Sequence, residues 1–379
     1  MIQAAYIHIP FCHQICHYCD FNKVFLKGQP VDDYLETLNL EMKNTLERYP
    51  TSKINTIFIG GGTPTSLSEV QLEKLFEIIH RHYQVIGDQV EFTIEANPGD
   101  LTKEKLETLK QGGINRLSIG VQSFNNELLK KIGRTHESND VFKGIERARK
   151  IGFENISIDL IYSLPNQTLA DFKETLDQAF SLELQHFSAY SLIIEPKTVF
   201  YNLMRKGILP LPSQDSEANM FELLMDQMDK HGYEQYEISN FAKKEFESKH
   251  NLTYWNNEEY YGFGAGAHSY LNGVRYANAG PLKKYMNSVS ENGMAFIEEH
   301  VVTSREQMEE ELFLGLRKTE GVSVSHFSHK FGVELLDVFG RQIEENMKSA
   351  LLQSNDQAIS LTRKGKLLGN EVFQSFLNV

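Results

Sequence analysis

Short runs rich in β-branched and aromatic residues alternate along the chain with longer stretches whose apolar positions recur every three or four residues. The runs are Ala4–Ile9, Ile54–Ile59, Val90–Glu95, Arg116–Ile119, Ile156–Leu160 and His186–Tyr190. Between them lie helical patterns such as Leu67–Tyr83, with Leu72, Leu75, Phe76 and Ile79 on one face, and Leu169–Phe180. Strand–helix alternation of this kind predicts parallel βαβ units. Six units are too few for a closed eight-fold barrel, and no dinucleotide fingerprint opens a helix. The expected fold class is therefore α/β, a partial (β/α)6 barrel over 1–200, with its chemistry at the C-terminal strand ends. Residues 201–300 read as an irregular extension holding a helix Asp215–His231, a stretch Tyr233–Ala242 and a Gly-rich run Gly262–Tyr270. Beyond it, helical patterns Arg305–Lys318, Ser325–Lys330 and Leu335–Leu352 precede an alternating Ala358–Leu361 and an apolar tail Leu367–Leu377. Three helices with a short β element predict a small winged-helix-like domain over 301–379.

Composition narrows the function classes. The chain has 379 residues, 41% hydrophobic and 23% charged, which suffices for a sizeable core. A formal net charge of −13 repels nucleic-acid backbone and anionic lipid, so no nucleic-acid partner is expected. Acidic residues outnumber basic ones from His300 onward, a poor DNA-binding surface for a winged helix. No apolar run reaches membrane-span length and Met1–Pro10 lacks a basic start, so a cytoplasmic location is expected. All three cysteines fall between Cys12 and Cys19. Such clustering speaks for metal binding rather than disulfides.

Cys12, Cys16 and Cys19 follow the first strand with gaps of three and two residues. A loop of this spacing can wrap three thiolates around one iron–sulfur cube, and with no fourth cysteine one iron stays open to a small ligand. A Cys3His zinc site completed by His13 or His17 is the competing reading. Gly60-Gly61-Gly62-Thr63-Pro64 follows the second strand, where bare backbone lets N–H groups approach a ligand; a plain tight turn is the alternative. Glu95, Gln122 and Asp159 stand at or within the ends of the next three strands. A carboxylate inside an apolar strand is costly without a partner, and several at successive strand ends point to one site.

These motifs resemble the radical SAM superfamily, whose members use S-adenosylmethionine (SAM). Tyr6-Ile7-His8-Ile9-Pro10-Phe11-Cys12, Gly120-Val121-Gln122-Ser123-Phe124 and Ile158-Asp159-Leu160-Ile161-Tyr162 are similar to its anaerobic coproporphyrinogen III oxidase-like branch, over nearly the whole chain. The resemblance implies a radical SAM barrel with a [4Fe–4S] cluster on Cys12, Cys16 and Cys19. It implies SAM contacts from Tyr6, Tyr18, Gly61, Gly62, Thr63 and Glu95, with further contacts from Gln122, Arg134 and Asp159. Within the branch the HemW heme chaperones match better than the oxidase. The oxidase pattern has another cysteine two residues after the third, where Phe21 stands, and a longer segment before the cluster than the eleven residues preceding Cys12. His250-Asn251-Leu252-Thr253-Tyr254-Trp255 resembles the chaperones' heme motif. There imidazole offers an axial ligand and Tyr254 and Trp255 offer flat apolar cover. His268 beside the Gly-rich run is the alternative histidine. The implied function is binding of heme and its transfer to respiratory hemoproteins, as a homodimer with peripheral membrane contact through its acceptors. Radical decarboxylation of coproporphyrinogen is the enzymatic alternative.

Overall fold

The computed structural model describes residues 2–83, 89–355 and 357–377. The chain forms two compact units, Met1–Gln227 with Glu259–His300, and Met228–Glu258 with Val301–Val379.

The first unit is built on β1 (Ala4–Ile9), β2 (Thr56–Gly61), β3 (Glu91–Ala96), β4 (Arg116–Gln122), β5 (Asn155–Tyr162), β6 (His186–Ser191) and β7 (Tyr261–Phe263). They run parallel in the spatial order β7-β1-β2-β3-β4-β5-β6. Helices α1 (Val31–Arg48), α2 (Glu69–His82), α3 (Lys103–Gln111), α4 (Ser138–Ile151) and α5 (Leu169–Phe180) make the crossovers. The capping boxes Ser68/Gln71 and Thr168/Asp171 start α2 and α5, satisfying N–H groups that the helices leave unpaired.

Side chains alternate across each strand. One set, including Ile7, Ile57, Ile59, Phe92, Ile94, Leu117, Ile119, Ile158 and Leu160, is fully buried. Burial of each contributes about 1.5–3 kcal/mol. The other set is polar. Register pairs Thr93 with Arg116 and Glu95 with Ser118, then Gly120 with Asp159, then Ser157 with His186 and Asp159 with Ser188. A parallel barrel normally fills its interior with branched aliphatic side chains. This polar set is suited instead to a polar ligand.

The six expected strands are present with boundaries moved by two residues or fewer, except that β4 extends three residues further at its C-terminal end. The seventh, β7, was not expected: three residues inside a Gly-rich run carry no readable period. The helix expected at Asp215–His231 spans Gln214–Lys230, and Tyr233–Ala242 folds as the antiparallel strands Glu234–Glu237 and Asn240–Ala242.

The second unit holds helices Ser304–Gly315, Val324–Phe331 and Leu335–Lys348. A three-stranded antiparallel sheet of Val322–Ser323, Ala358–Leu361 and Leu352–Ser354 accompanies them, in the winged-helix manner. Leu312, Phe327, Phe339, Ile343 and Phe376 form its core, with Ile238 packed against it. The expected boundaries at 200 and 300 therefore differ from the observed division. Met228–Glu258 joins the C-terminal residues because Ile238 packs on that core and Arg317 stacks on Trp255. No helix among the described residues is long and apolar enough to cross a membrane.

Candidate functional site

The three cysteines occupy a loop that leaves the end of β1. Phe11–Cys12 pairs in parallel with Val24–Phe25, closing the loop at its base. Asn22 Nδ2 donates to the carbonyls of Ala265 (2.7 Å) and Gly280 (2.8 Å). The His17 N–H donates to Ile132 O at 3.0 Å, and its ring Nδ1 meets Lys131 O at 2.9 Å. Cys12 is buried, Cys16 and Cys19 are half-buried, and none is in a disulfide. The three thiols feel one another: charge on Cys16 raises Cys12, and charge on Cys16 and Cys12 raises Cys19. Burial is the larger cause in both, pushing the Cys19 thiol up to about 11. Two donors face the sulfurs, Thr63 Oγ1 on Cys12 and Arg134 Nη1 on Cys16, each at 3.6 Å.

No three His, Cys, Asp or Glu groups among the described residues converge on a single-ion position. The His17 ring is engaged with Lys131 O, and His13 is exposed. The three thiols neighbour one another in one loop, a donor set that fits an iron–sulfur cube with one open iron.

The glycine segment differs from its expected role. The N–H of Gly61 donates to Glu95 Oε2 (3.0 Å), that of Gly62 to Ile9 O (2.8 Å) and that of Thr63 to Phe11 O (2.8 Å). These N–H groups are engaged within the protein and do not form a cradle of free donors. The glycines are demanded by close approach: a Cβ on Gly61 would sit 2.5 Å from the His8 ring, and one on Gly62 2.7 Å from the Pro10 carbonyl carbon.

Glu95 and Asp159 both belong to the polar set. Burial first, then the Asp159 charge, pushes the Glu95 carboxyl up to about 8. Asp159 is also raised by burial, opposed by Ser188, Arg116 and Ser118. Ser118 Oγ lies 3.3 Å from both Asp159 oxygens. Gln122 ends β4 at φ 69°, where the register with β5 slips. A left-handed non-glycine residue is strained, and such strain concentrates at functional sites. Arg134 is no solvated helix-end charge. Its Nη2 donates to Asn97 Oδ1 at 2.6 Å and to Gly120 O, joining the ends of β3 and β4 to the cysteine loop. The Tyr6 hydroxyl bonds His8 Nδ1 at 2.9 Å, and burial raises the Tyr18 phenol.

The first unit thus holds Tyr6, Cys12, Cys16, Tyr18, Cys19, Gly61, Gly62, Thr63, Glu95, Gln122, Arg134 and Asp159. Asn97, Arg116, Ser118, His186 and Ser188 were not anticipated; their shared parity with Glu95 and Asp159 along the strands was the available signal. His250 lies in the second unit, on helix Lys249–Trp255. It is 1% exposed and its Nε2 bonds the Tyr254 hydroxyl at 2.8 Å. Arg317 stacks 4.4 Å from the Trp255 ring centroid, and Trp255 Nε1 is buried without a hydrogen-bond partner among the described residues. His268 is an exposed residue at the start of strand His268–Leu271.

Comparison with known proteins bears on this arrangement. Residues 6–179 match the sequence profile of the radical SAM superfamily, and residues 302–368 that of the HemN C-terminal domain. The Heme chaperone HemW of Bacillus subtilis (strain 168) is 56% identical over 376 residues, 99% of each chain. The chain belongs to the radical SAM superfamily, in its HemW family. The Heme chaperone HemW of Lactococcus lactis subsp. lactis (strain IL1403) is 50% identical, covering 99% of this chain and 97% of its own. Among solved structures, coproporphyrinogen III oxidase (HemN) from Escherichia coli, a radical SAM enzyme, superposes with a TM-score of 0.86 at 26% identity. That match covers 100% of this chain and 90% of the oxidase. Radical SAM membership implies a [4Fe–4S] cluster and SAM as cofactors, and the cysteine loop fits the first.

Proposed function

We propose that this radical SAM protein is a heme chaperone that binds heme and passes it to respiratory hemoproteins. The observation that carries the reading is end-to-end similarity, at 56% identity, to a protein named as a heme chaperone. Identity to the structurally similar oxidase is 26%. Phe21, where the oxidase pattern has a cysteine, adds to that contrast.

Cys12, Cys16 and Cys19 would hold the cluster, with Thr63 and Arg134 donating toward two of the sulfurs. When bound, the cluster supplies an electron-transfer centre and an open iron for SAM's amino and carboxylate groups. Tyr6, Tyr18, Gly61, Gly62, Thr63 and Glu95 would surround the SAM, and Gln122, Arg134 and Asp159 would make further contacts. Because the Gly61 and Gly62 N–H groups are already bonded, these residues offer shape rather than donors. A Glu95 carboxyl held near 8 takes its ionised form most readily when a cationic amino group arrives beside it. Homodimer formation and contact with membrane-bound acceptors belong to the same reading.

His250 is the proposed axial ligand for heme. Its Nε2 is bonded to Tyr254, so iron would compete with that hydroxyl. The test is a paired assay on cluster-loaded protein, with heme binding followed by its Soret band and decarboxylation of coproporphyrinogen by product analysis. Heme should bind and no porphyrinogen should be decarboxylated. His250→Ala should shift or abolish the Soret band, and Tyr254→Phe should tighten heme binding by releasing the nitrogen. Turnover of the porphyrinogen would favour the oxidase, and an unaltered spectrum in His250→Ala would pass the ligand role to His268.

A further inference from the structure

Arg116 sits on β4 with 2% of its surface exposed. Its Nε–H has no hydrogen-bond partner among the described residues. Taking a guanidinium out of water without complete hydrogen bonding is costly, so a buried cation of this kind calls for a reason. The strand register supplies one. Gly120 pairs with Asp159, and Arg116 lies four residues earlier on the same face of β4. Ser118 stands between them and lies 3.3 Å from each Asp159 oxygen. From the next strand Ser188, the register partner of Asp159, hydrogen-bonds the same carboxylate. Asp159 is therefore held by hydroxyls from both flanking strands, with a buried positive charge beyond them.

We propose that Arg116 is the positioning residue for Asp159: it touches no ligand itself, and it keeps the carboxylate charged and aimed for SAM. This rests on the reading of Asp159 as a SAM contact. The charged groups acting on Asp159 or its counter-ion are few. Arg116 and Arg134 favour its ionised form, while Glu95 and Asp159 repel each other. His186, buried beside Ser157 (Oγ to Nδ1, 2.7 Å), is held neutral by burial and by Arg116. It adds no competing cation. Arg134 already donates to Asn97, Gly120 and Cys16, so Arg116 is the cation with bonding capacity to spare.

The experiment is calorimetric SAM titration of cluster-loaded protein across pH, with iron content and thermal melting measured on each variant. Arg116→Gln should move the acidic limb of the SAM-binding profile up by about one pH unit, weakening binding up to about tenfold on that limb and less above it, since a nearby opposite charge shifts a carboxylate by that order. Arg116→Lys keeps the charge and should bind within about threefold of the parent. In an Asp159→Asn background, Arg116→Gln should cost little more, because Arg116 acts through Asp159. Unchanged affinity and pH profile in Arg116→Gln, while Asp159→Asn loses binding, overturns the inference alone. Equal, additive losses in both backgrounds overturn it too, marking a merely structural arginine. If Arg116→Gln does not fold, a folded Arg116→Lys variant that binds SAM more than about tenfold worse than the parent likewise overturns it. A parent protein that binds no SAM overturns the functional reading beneath it.

Discussion

Glu41 shows how a single residue can hold a segment of the site in place. It has no exposed surface, and its carboxylate accepts from Gly264 N–H (2.8 Å), Tyr285 Oη (2.8 Å) and Asn278 Nδ2 (2.6 Å). Those bonds tie α1 to Gly264 in the glycine-rich run, to strand Val274–Asn278 and to helix Leu282–Asn292. Burial nevertheless outweighs the three donors and pushes the carboxyl from 4.5 up to about 7. In that window the folded protein keeps a proton that the unfolded chain releases, so stability falls as pH rises from about 4.5 to 7 and levels off above. Urea unfolding at pH 5 and pH 8 should show Glu41→Gln losing less stability with pH than the parent, by roughly 1–3 kcal/mol. Two curves that stay parallel would show Glu41 to be ionised throughout. The sequence held a sign of this residue. Tyr34, Leu35, Leu38, Glu41, Met42 and Thr45 form the buried stripe of α1, and a charge on such a stripe must find partners. Which partners was not readable, because they lie more than two hundred residues away. The cysteines were legible for the opposite reason: their spacing lies within one loop.

At the scale of elements, the strands were readable because burial on one face imposes period two, and the helices because their apolar stripes recur at helical spacing. β7 has only three residues, and its place beside β1 is set by pairing across the sheet, which local pattern does not record. The glycines after β2 were legible as special but not in their reason. Gly61 has φ 115° and would place a Cβ 2.5 Å from the His8 ring, the same ring that bonds Tyr6 and the Asn22 carbonyl. Gly28 also has positive φ, at 79°, yet nothing lies within 4 Å of its added Cβ. Gly28→Ala should therefore cost about 1 kcal/mol of strain alone, whereas Gly61→Ala should cost about 3 kcal/mol or more and displace His8. Thermal melting and iron content after reconstitution compare the two. Equal losses would show that backbone conformation, not crowding against β1, keeps Gly61 a glycine.

Across the whole molecule, the second unit is assembled from two separate stretches, with Val301–Val379 completing what Met228–Glu258 begins. Glu237, wholly buried, lies 3.7 Å from Arg317 Nη2, and the same guanidinium covers Trp255. Ending the chain at His300 removes Arg317 and the core on which Ile238 packs. Limited proteolysis of that truncated protein should cut first within Met228–Glu258, and a resistant, monodisperse product would show that this stretch stands without its complement. The first unit has a discontinuity of its own, and it governs timing. Ala5 of β1 pairs with Tyr261, and Asn22 in the cysteine loop is held by the carbonyls of Ala265 and Gly280. At about 5–20 residues per second, a ribosome needs roughly 10–50 s after making β1 to supply those partners. Until then β1 keeps an open hydrogen-bonding edge, and the three thiols leave the ribosome on a loop whose anchors have yet to be synthesised. On the proposed reading of these cysteines as cluster ligands, iron delivered to a half-made chain would meet them without their scaffold, so stable loading would belong to the last quarter of synthesis or later.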